Sequence, residues 1–298
     1  MTVSVYVPVA LSVLVAVISR LMVARLSPTR GTVITVVGAA VLCAAGTTWA
    51  LVLLALTLIG FTPLAVAEAT ERGVVLVQPV PGVVGALAAV ALTFGVARVV
   101  RVVRVRWATR RELRELCRSC GHGELAVVPV AEPHAFAVPG RPGRVLVTQG
   151  LLELLDGKER RVVLAHERAH LAGRHHGLRA TAEICAAMNP MLVLVREAVA
   201  FLVERNADEH AATVSGSREL AARALAKAAL AEAGGAKQAA LGFIANSVTA
   251  RVAALQEAPP RPDRLLPGGF LILGVGTATA AVQATLAFYR LIHWLWLG

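Results

Sequence analysis

The segment "HERAHLAGRHH", residues 166 to 176, gathers four histidines and one glutamate into a short stretch. His166 and His170 are four residues apart, so on a helix both imidazoles leave the same face and can grip one metal ion. Glu167 lies one step round, where it can hold a water molecule and take its proton. This is the zinc-hydrolase pattern H-E-x-x-H. Zinc lowers the pKa of bound water to about 7, so peptide-bond hydrolysis at neutral pH, with one Zn2+ per chain, is the chemistry to expect. A catalytic zinc takes three protein ligands and leaves a position open. Two sources for the third ligand are available. Read onward, the segment satisfies H-E-x-x-H-x-x-G-x-x-H, which makes His176 the ligand and Gly173 the turn, with Met188 following. Alternatively, "VERNADEH" supplies a carboxylate. Glu204 and Asp208 share a helix face, so Glu204 can bind zinc while Asp208 hydrogen-bonds a ligand imidazole from outside.

Local signals define the elements that must hold these groups. Asp156 and Glu159 in "DGKE" form a capping box, predicting a helix that carries the histidines to about Leu171 and stops at Gly173. Asn189 and Pro190 form an N-cap followed by an N1 proline, opening a helix to about Thr213 that carries Glu204 and Asp208. Upstream, β-branched runs broken by Pro and Gly predict short strands near 124–130, 134–138 and 143–148. Downstream come two Ala-rich helices near 217–233 and 236–256, then the linker "APPRPDR". His175 and His176 are expected at a helix end, where a cationic imidazole suits the macrodipole. His210 follows Asp208 closely and reads as a surface residue more readily than as a transition-state stabiliser.

The chain has 298 residues, of which 56% are hydrophobic and 16% charged, too apolar for one ordinary soluble domain. A membrane span needs about 20 mostly apolar residues, and four segments qualify: 3–23, 33–61, 83–103 and 268–297. Arg20, Arg25 and Arg30 crowd the first loop, and Arg98 to Arg114 follow the third span, whereas the second loop has few cations. By the positive-inside rule the first and third loops are cytoplasmic and both termini lie outside. The start "MTVSVYV" lacks a positive n-region, which favours a retained span over a cleaved signal peptide. The fold class expected is therefore mainly α. Residues 1–104 and 268–297 form a multi-pass membrane region of four transmembrane helices, with an α+β cytoplasmic domain over 105–262.

A net charge of +11 invites a nucleic-acid reading. Arg98, Arg101 and Arg104 instead recur at helical spacing where an apolar span ends, as in side chains that snorkel to anionic headgroups, so direct nucleic-acid binding is not expected. Of four cysteines, Cys43 and Cys185 sit in apolar surroundings and read as small hydrophobes. Cys117, Cys120 and His122 in "CRSCGH" supply three ligands of a conceivable second metal site, with no further C-x-x-C to complete it.

The residues "AFAVPG…VLVTQGLLELLDGKERRVVLAHERAH", followed by "ERNAD", resemble the integral-membrane metalloproteases related to the β-lactam sensor-transducers, with kinship to the heat-shock and prenyl-protein membrane proteases. The resemblance is most specific over about 135–210, with a weaker echo in "SVTARVAAL" near Arg251. It implies a zincin-like domain whose third ligand is a glutamate, here Glu204, with Asp208 completing the E-x-x-x-D motif. It implies further that Ala135, Phe136 and Ala137 form an edge strand that pairs with an extended substrate backbone. A regulated protease cleaving a cytoplasmic winged-helix repressor is one expected role. A quality-control or processing protease is another, and a non-catalytic zinc-containing sensor a third. After "WLWLG" no penicillin-binding sensor domain follows, so any stimulus is expected to act through the spans, the loop Thr62 to Gly82, or a partner.

Overall fold

The computed structural model describes residues 5–71, 73, 80–119, 123–233, 238–261 and 265–297. Helices α1 (Val7–Met22), α2 (Arg30–Leu56), α3 (Pro63–Glu71) and α4 (Gly82–Ser119) come first. Strands β1 (Leu125–Val128), β2 (Ala135–Val138) and β3 (Arg144–Thr148) follow. Helices α5 (Gln149–Leu154), α6 (Gly157–Ala172), α7 (His175–Met188), α8 (Val193–Ser215), α9 (Arg218–Ala233), α10 (Gln238–Gln256) and α11 (Leu265–Leu297) complete the chain.

Three of these helices, α2 with its following 3-10 turn, α4 and α11, are long and apolar enough to cross a membrane. The expected first span is shorter than the sequence suggests. Its helical part, α1, has 16 residues and covers about 24 Å, less than the hydrocarbon thickness of about 30 Å. Among the described residues three helices, not four, therefore meet the length requirement. Helix α4 does the opposite. Its 38 residues reach about 57 Å, so its arginine-rich second half extends well past its apolar first half.

The expected division between a membrane region and a separate domain is softened by packing. One buried core joins Val15 of α1, Val33 and Val36 of α2, and Phe270 of α11 to Cys185 of α7 and to Val195, Val199 and Leu202 of α8. The α7–α8 hairpin is wedged among the apolar helices. At its tip Asn189 is buried, and its amide donates to Ser12 Oγ at 3.1 Å and Thr47 Oγ1 at 3.2 Å. Next to it Met188 packs against Gly95 of α4 so closely that a Cβ there would lie 3.1 Å from its sulfur. Helices α2 and α11 also approach closely, because Gly46 leaves room for Thr277; a Cβ at 46 would lie 2.7 Å from its methyl group. Arg98, expected at the headgroups, donates instead to the carbonyl of Ala186 at 3.3 Å.

The three strands form a sheet of order β1-β3-β2, with β1 parallel and β2 antiparallel to β3. Phe136 faces Leu146 in register. Central β3 is buried along Val145 to Thr148, whereas β2 is an edge strand. The β-branched runs thus formed strands within a residue or two of their expected ends.

Replacing Asn189 by Ala removes both bonds across the bundle. The expected loss is about 1–2 kcal/mol, read as a lower thermal midpoint of the full chain in nanodiscs, with Asn189→Gln recovering part of it.

Candidate active site

Helix α6 begins where the sequence predicts. The Asp156 carboxylate accepts from the amides of Lys158 at 2.7 Å and Glu159 at 2.8 Å, and Glu159 returns a bond to the Asp156 amide at 3.0 Å. The capping box fixes the helix phase, so Val162, Ala165 and Ala169 face inward with His166. Helix α8 lies across α6 and starts one 3-10 turn after Asn189, whose side chain caps that turn. Its inward face carries Glu204 and Asp208.

These two helices bring His166, His170 and Glu204 together, with one ligand atom from each lying within 4.8 Å of the others. Nε2 of His166 is 3.1 Å from Nε2 of His170, and each lies 3.6 Å and 3.8 Å, respectively, from an oxygen of Glu204. Two ligands of a tetrahedral zinc with bonds of about 2.0–2.1 Å stand roughly 3.3 Å apart, so the separations fit such an ion. His176 is not in this group. It lies at the start of α7 and lines the rim of the cleft, while Met188 packs far along the same helix against α4.

The outer atoms of the group are held from behind. Asp208, 2% exposed, places Oδ1 at 3.0 Å from His166 Nδ1. Arg251 of α10 donates to both Asp208 oxygens at 2.7 Å and reaches Glu204 at 3.3 Å. Arg179 of α7 donates to the other Glu204 oxygen at 3.0 Å. Burial alone would raise both carboxylates, but the His166 contact and Arg251 keep Glu204 well below the usual range, and Arg251 does the same for Asp208. A carboxylate whose pKa is depressed by folding stabilises the fold above the ordinary carboxylate range and loses that contribution on acidification. Burial pushes His170 down to about 3, so its ring is neutral. Burial also acts to lower His166, yet the Asp208 and Glu204 carboxylates beside it outweigh that and raise it to about 10. A site that draws positive charge onto a buried imidazole is suited to a cation, whose binding would release that proton.

The sequence reading misplaced His175. Helix α6 ends at Gly173, as expected, but His175 and His176 open the next helix instead of closing the first. Arg174 between them adopts a left-handed φ of 53°, turning His175 back beneath the motif. His175 is 1% exposed, with Nδ1 at 3.0 Å from Nδ1 of His170. It thus braces the second histidine as Asp208 braces the first. Gly173 is required for this approach, since a Cβ there would lie 2.2 Å from the His175 ring. A glycine two residues before a histidine was the available signal.

The cleft over the group has a volume of about 600 Å³, and its walls include Glu167, Phe136 and Ala137. Edge strand β2 forms one wall. Phe136 is 42% exposed there and stacks on His134 with ring centres 5.6 Å apart, so it is not a core residue. His210 lies elsewhere, beside a smaller cavity with Arg30 and Asn206. Cys117 is buried with its carbonyl bonded by Arg144, while Cys120 and His122 lie outside the described residues.

Comparison with known proteins gives a family for the segment that carries these residues. The model of peptidase family M48 matches residues 108–266, just over half of the chain. A protease HtpX homolog of Aquifex aeolicus is 47% identical over 53 residues, covering 17% of this chain and 18% of that protein. One of Pyrococcus abyssi is 36% identical over 85 residues, covering 27% of this chain and 29% of that protein. The chain therefore matches less than a third of the length of either relative. No solved structure matches significantly. With the family match running from the end of α4 through both site helices to the start of α11, the chain belongs to peptidase family M48.

Proposed function

We propose that the chain is a membrane-bound zinc metalloendopeptidase that hydrolyses peptide bonds on the cytoplasmic side of the inner membrane, both termini lying outside. The convergence of His166, His170 and Glu204 beside Glu167, under an edge strand, carries this reading. Zinc held by those three residues would supply a Lewis acid and a nucleophilic water at neutral pH. Glu167 takes the proton of the attacking water and delivers it to the leaving amine. Asp208 and His175 fix the orientation of the two imidazoles from outside. Arg251 keeps Asp208 and Glu204 ionised in a buried setting. Strand β2 offers its free backbone groups at Ala135, Phe136 and Ala137 to an extended substrate.

Quality control or processing of membrane proteins is the role best supported, since the relatives are named protease HtpX homologs. The repressor-cleaving role has no comparable support. Peptides accumulating in membranes with the intact chain and with Glu167→Gln separate them. Many shortened membrane proteins favour quality control, and one repressor fragment overturns it.

Five substitutions test the site. Glu167→Gln is expected to retain zinc and lose about 10²–10⁴-fold in turnover. Glu204→Gln is expected to strip zinc, whereas His176→Gln keeps it; the reverse pattern of metal content, measured by mass spectrometry, identifies His176 as the ligand. His175→Ala is expected to weaken zinc binding by about 10–100-fold. Gly173→Ala should reproduce that loss by displacing the same ring, and chelator competition measures both.

A further inference from the structure

A second cavity, of about 890 Å³, adjoins the catalytic cleft. Arg110, Arg114 and Arg118 enter it at helical spacing from the extension of α4. Arg141 and Arg144 come from the β2–β3 hairpin, the first in its loop and the second at the start of β3, and Arg174 and His176 from the N-terminal end of α7. Among the described residues, no carboxylate lines it. Among the described residues none of Arg110, Arg118, Arg141 and Arg174 has a carboxylate at ion-pair distance. Arg144 donates to the carbonyls of Gly123 and Cys117, but its Nη2 is buried and has no hydrogen-bond partner there. Guanidinium groups delivered by three separate elements into one concavity repel one another. An anion of matching shape relieves that repulsion.

The position of the cavity selects the anion. His176 lines both this cavity and the catalytic cleft. Strand β2 connects them, with Ala135 to Ala137 on the catalytic cleft and Val138, Pro139 and Gly140 on the basic one. A strand advances about 3.3 Å per residue, so a peptide paired with β2 enters the basic cavity about three residues from its scissile bond. Lipid headgroups fit the position less well. On α4, Arg110 stands about 10 Å and Arg118 about 22 Å beyond Val103, where the apolar run ends. The headgroup layer is only about 5–8 Å deep on each side.

We propose that this cavity is an extended substrate subsite that takes an acidic segment of the polypeptide, beginning about three residues to one side of the scissile bond. The proposal rests on the proteolytic reading for its connection to the cleft, but the binding it asserts is measurable without turnover. Full-length Glu167→Gln chain, loaded with zinc in phosphatidylcholine nanodiscs, is titrated with fluorescent peptides by anisotropy. One peptide is neutral, and two carry three glutamates starting about three residues from the centre, on one flank or the other.

One acidic peptide is expected to bind about tenfold more tightly than the neutral one, as three solvent-accessible ion pairs allow, and to lose this preference at high salt. Arg110→Gln with Arg141→Gln should bring the ratio of the two affinities towards one. Arg161→Gln with Arg223→Gln, an equal charge change on exposed positions elsewhere, should leave it intact. Equal binding of all three peptides overturns the proposal, as does a preference that survives the Arg110 and Arg141 changes. Arginine-dependent capture of phosphatidylglycerol in mixed nanodiscs, without acidic-peptide binding, also overturns it and makes the cavity a headgroup site. Wild-type chain that shows the arginine-dependent peptide preference but cleaves none of the peptides supports the acidic-peptide site while overturning the proteolytic reading.

Discussion

Two imidazoles and two carboxylates must be held within a few ångströms of one another in a largely dry place, and the rest of the structure depends on how their charges are balanced. Burying an ion without a partner costs several kcal/mol. Helices α6 and α8 can therefore face each other with these groups between them only because Arg251 supplies a bidentate countercharge to Asp208 and touches Glu204. That single guanidinium ties α10 to the site. The remaining Glu204 oxygen is met from α7 by Arg179. The helices flanking the motif thus each contribute a charge as well as apolar packing, and lysine in place of Arg251 could not serve both carboxylates with the same planar fork.

Much of this was legible in the sequence because it is encoded locally. A capping box, an Asn-Pro start and short β-branched runs bounded by Pro and Gly each act within a few residues, and the corresponding elements lie close to their expected limits. Helix spacing offered Glu204 and His176 alike as partners for the two histidines, and the choice of Glu204 came from the family resemblance. What spacing could not convey is a reversal of direction. His175 lies five residues after His170, off any helical repeat, and reaches it only because Arg174 takes a left-handed conformation and Gly173 lacks a Cβ. Similarly, Arg98 and Arg106 of α4 read as part of a cationic run at the end of an apolar span, whereas both find partners on α7. Arg98 bonds a carbonyl of α7, and Arg106 pairs with Glu183 at 2.5 Å.

His166 and His170 are braced by different chemistry. An anionic partner strengthens the donor character of His166, while a neutral imidazole behind His170 orients without adding charge. With Glu167 nearby and Glu204 in the group, a second buried carboxylate behind His170 would have left the balance strongly negative. The neutral brace keeps the number of anions matched to the cations that surround them.

The core shared by α1, α2 and α11 with α7 and α8 has a consequence for what counts as the folding unit of this chain. Val195, Val199 and Leu202 are fully buried against helices of the membrane bundle, and the same helix presents Glu204 one half-turn later. Cutting the chain at the ends of α4 and α10 would expose that apolar face to water and release the helix from the neighbours that set its rotation. The segment that carries the site is therefore packed into the apolar bundle. The packing that positions Glu204 is shared with helices long and apolar enough to cross a membrane. A change in lipid thickness or detergent belt that loosens the bundle acts on the same packing that aims the glutamate.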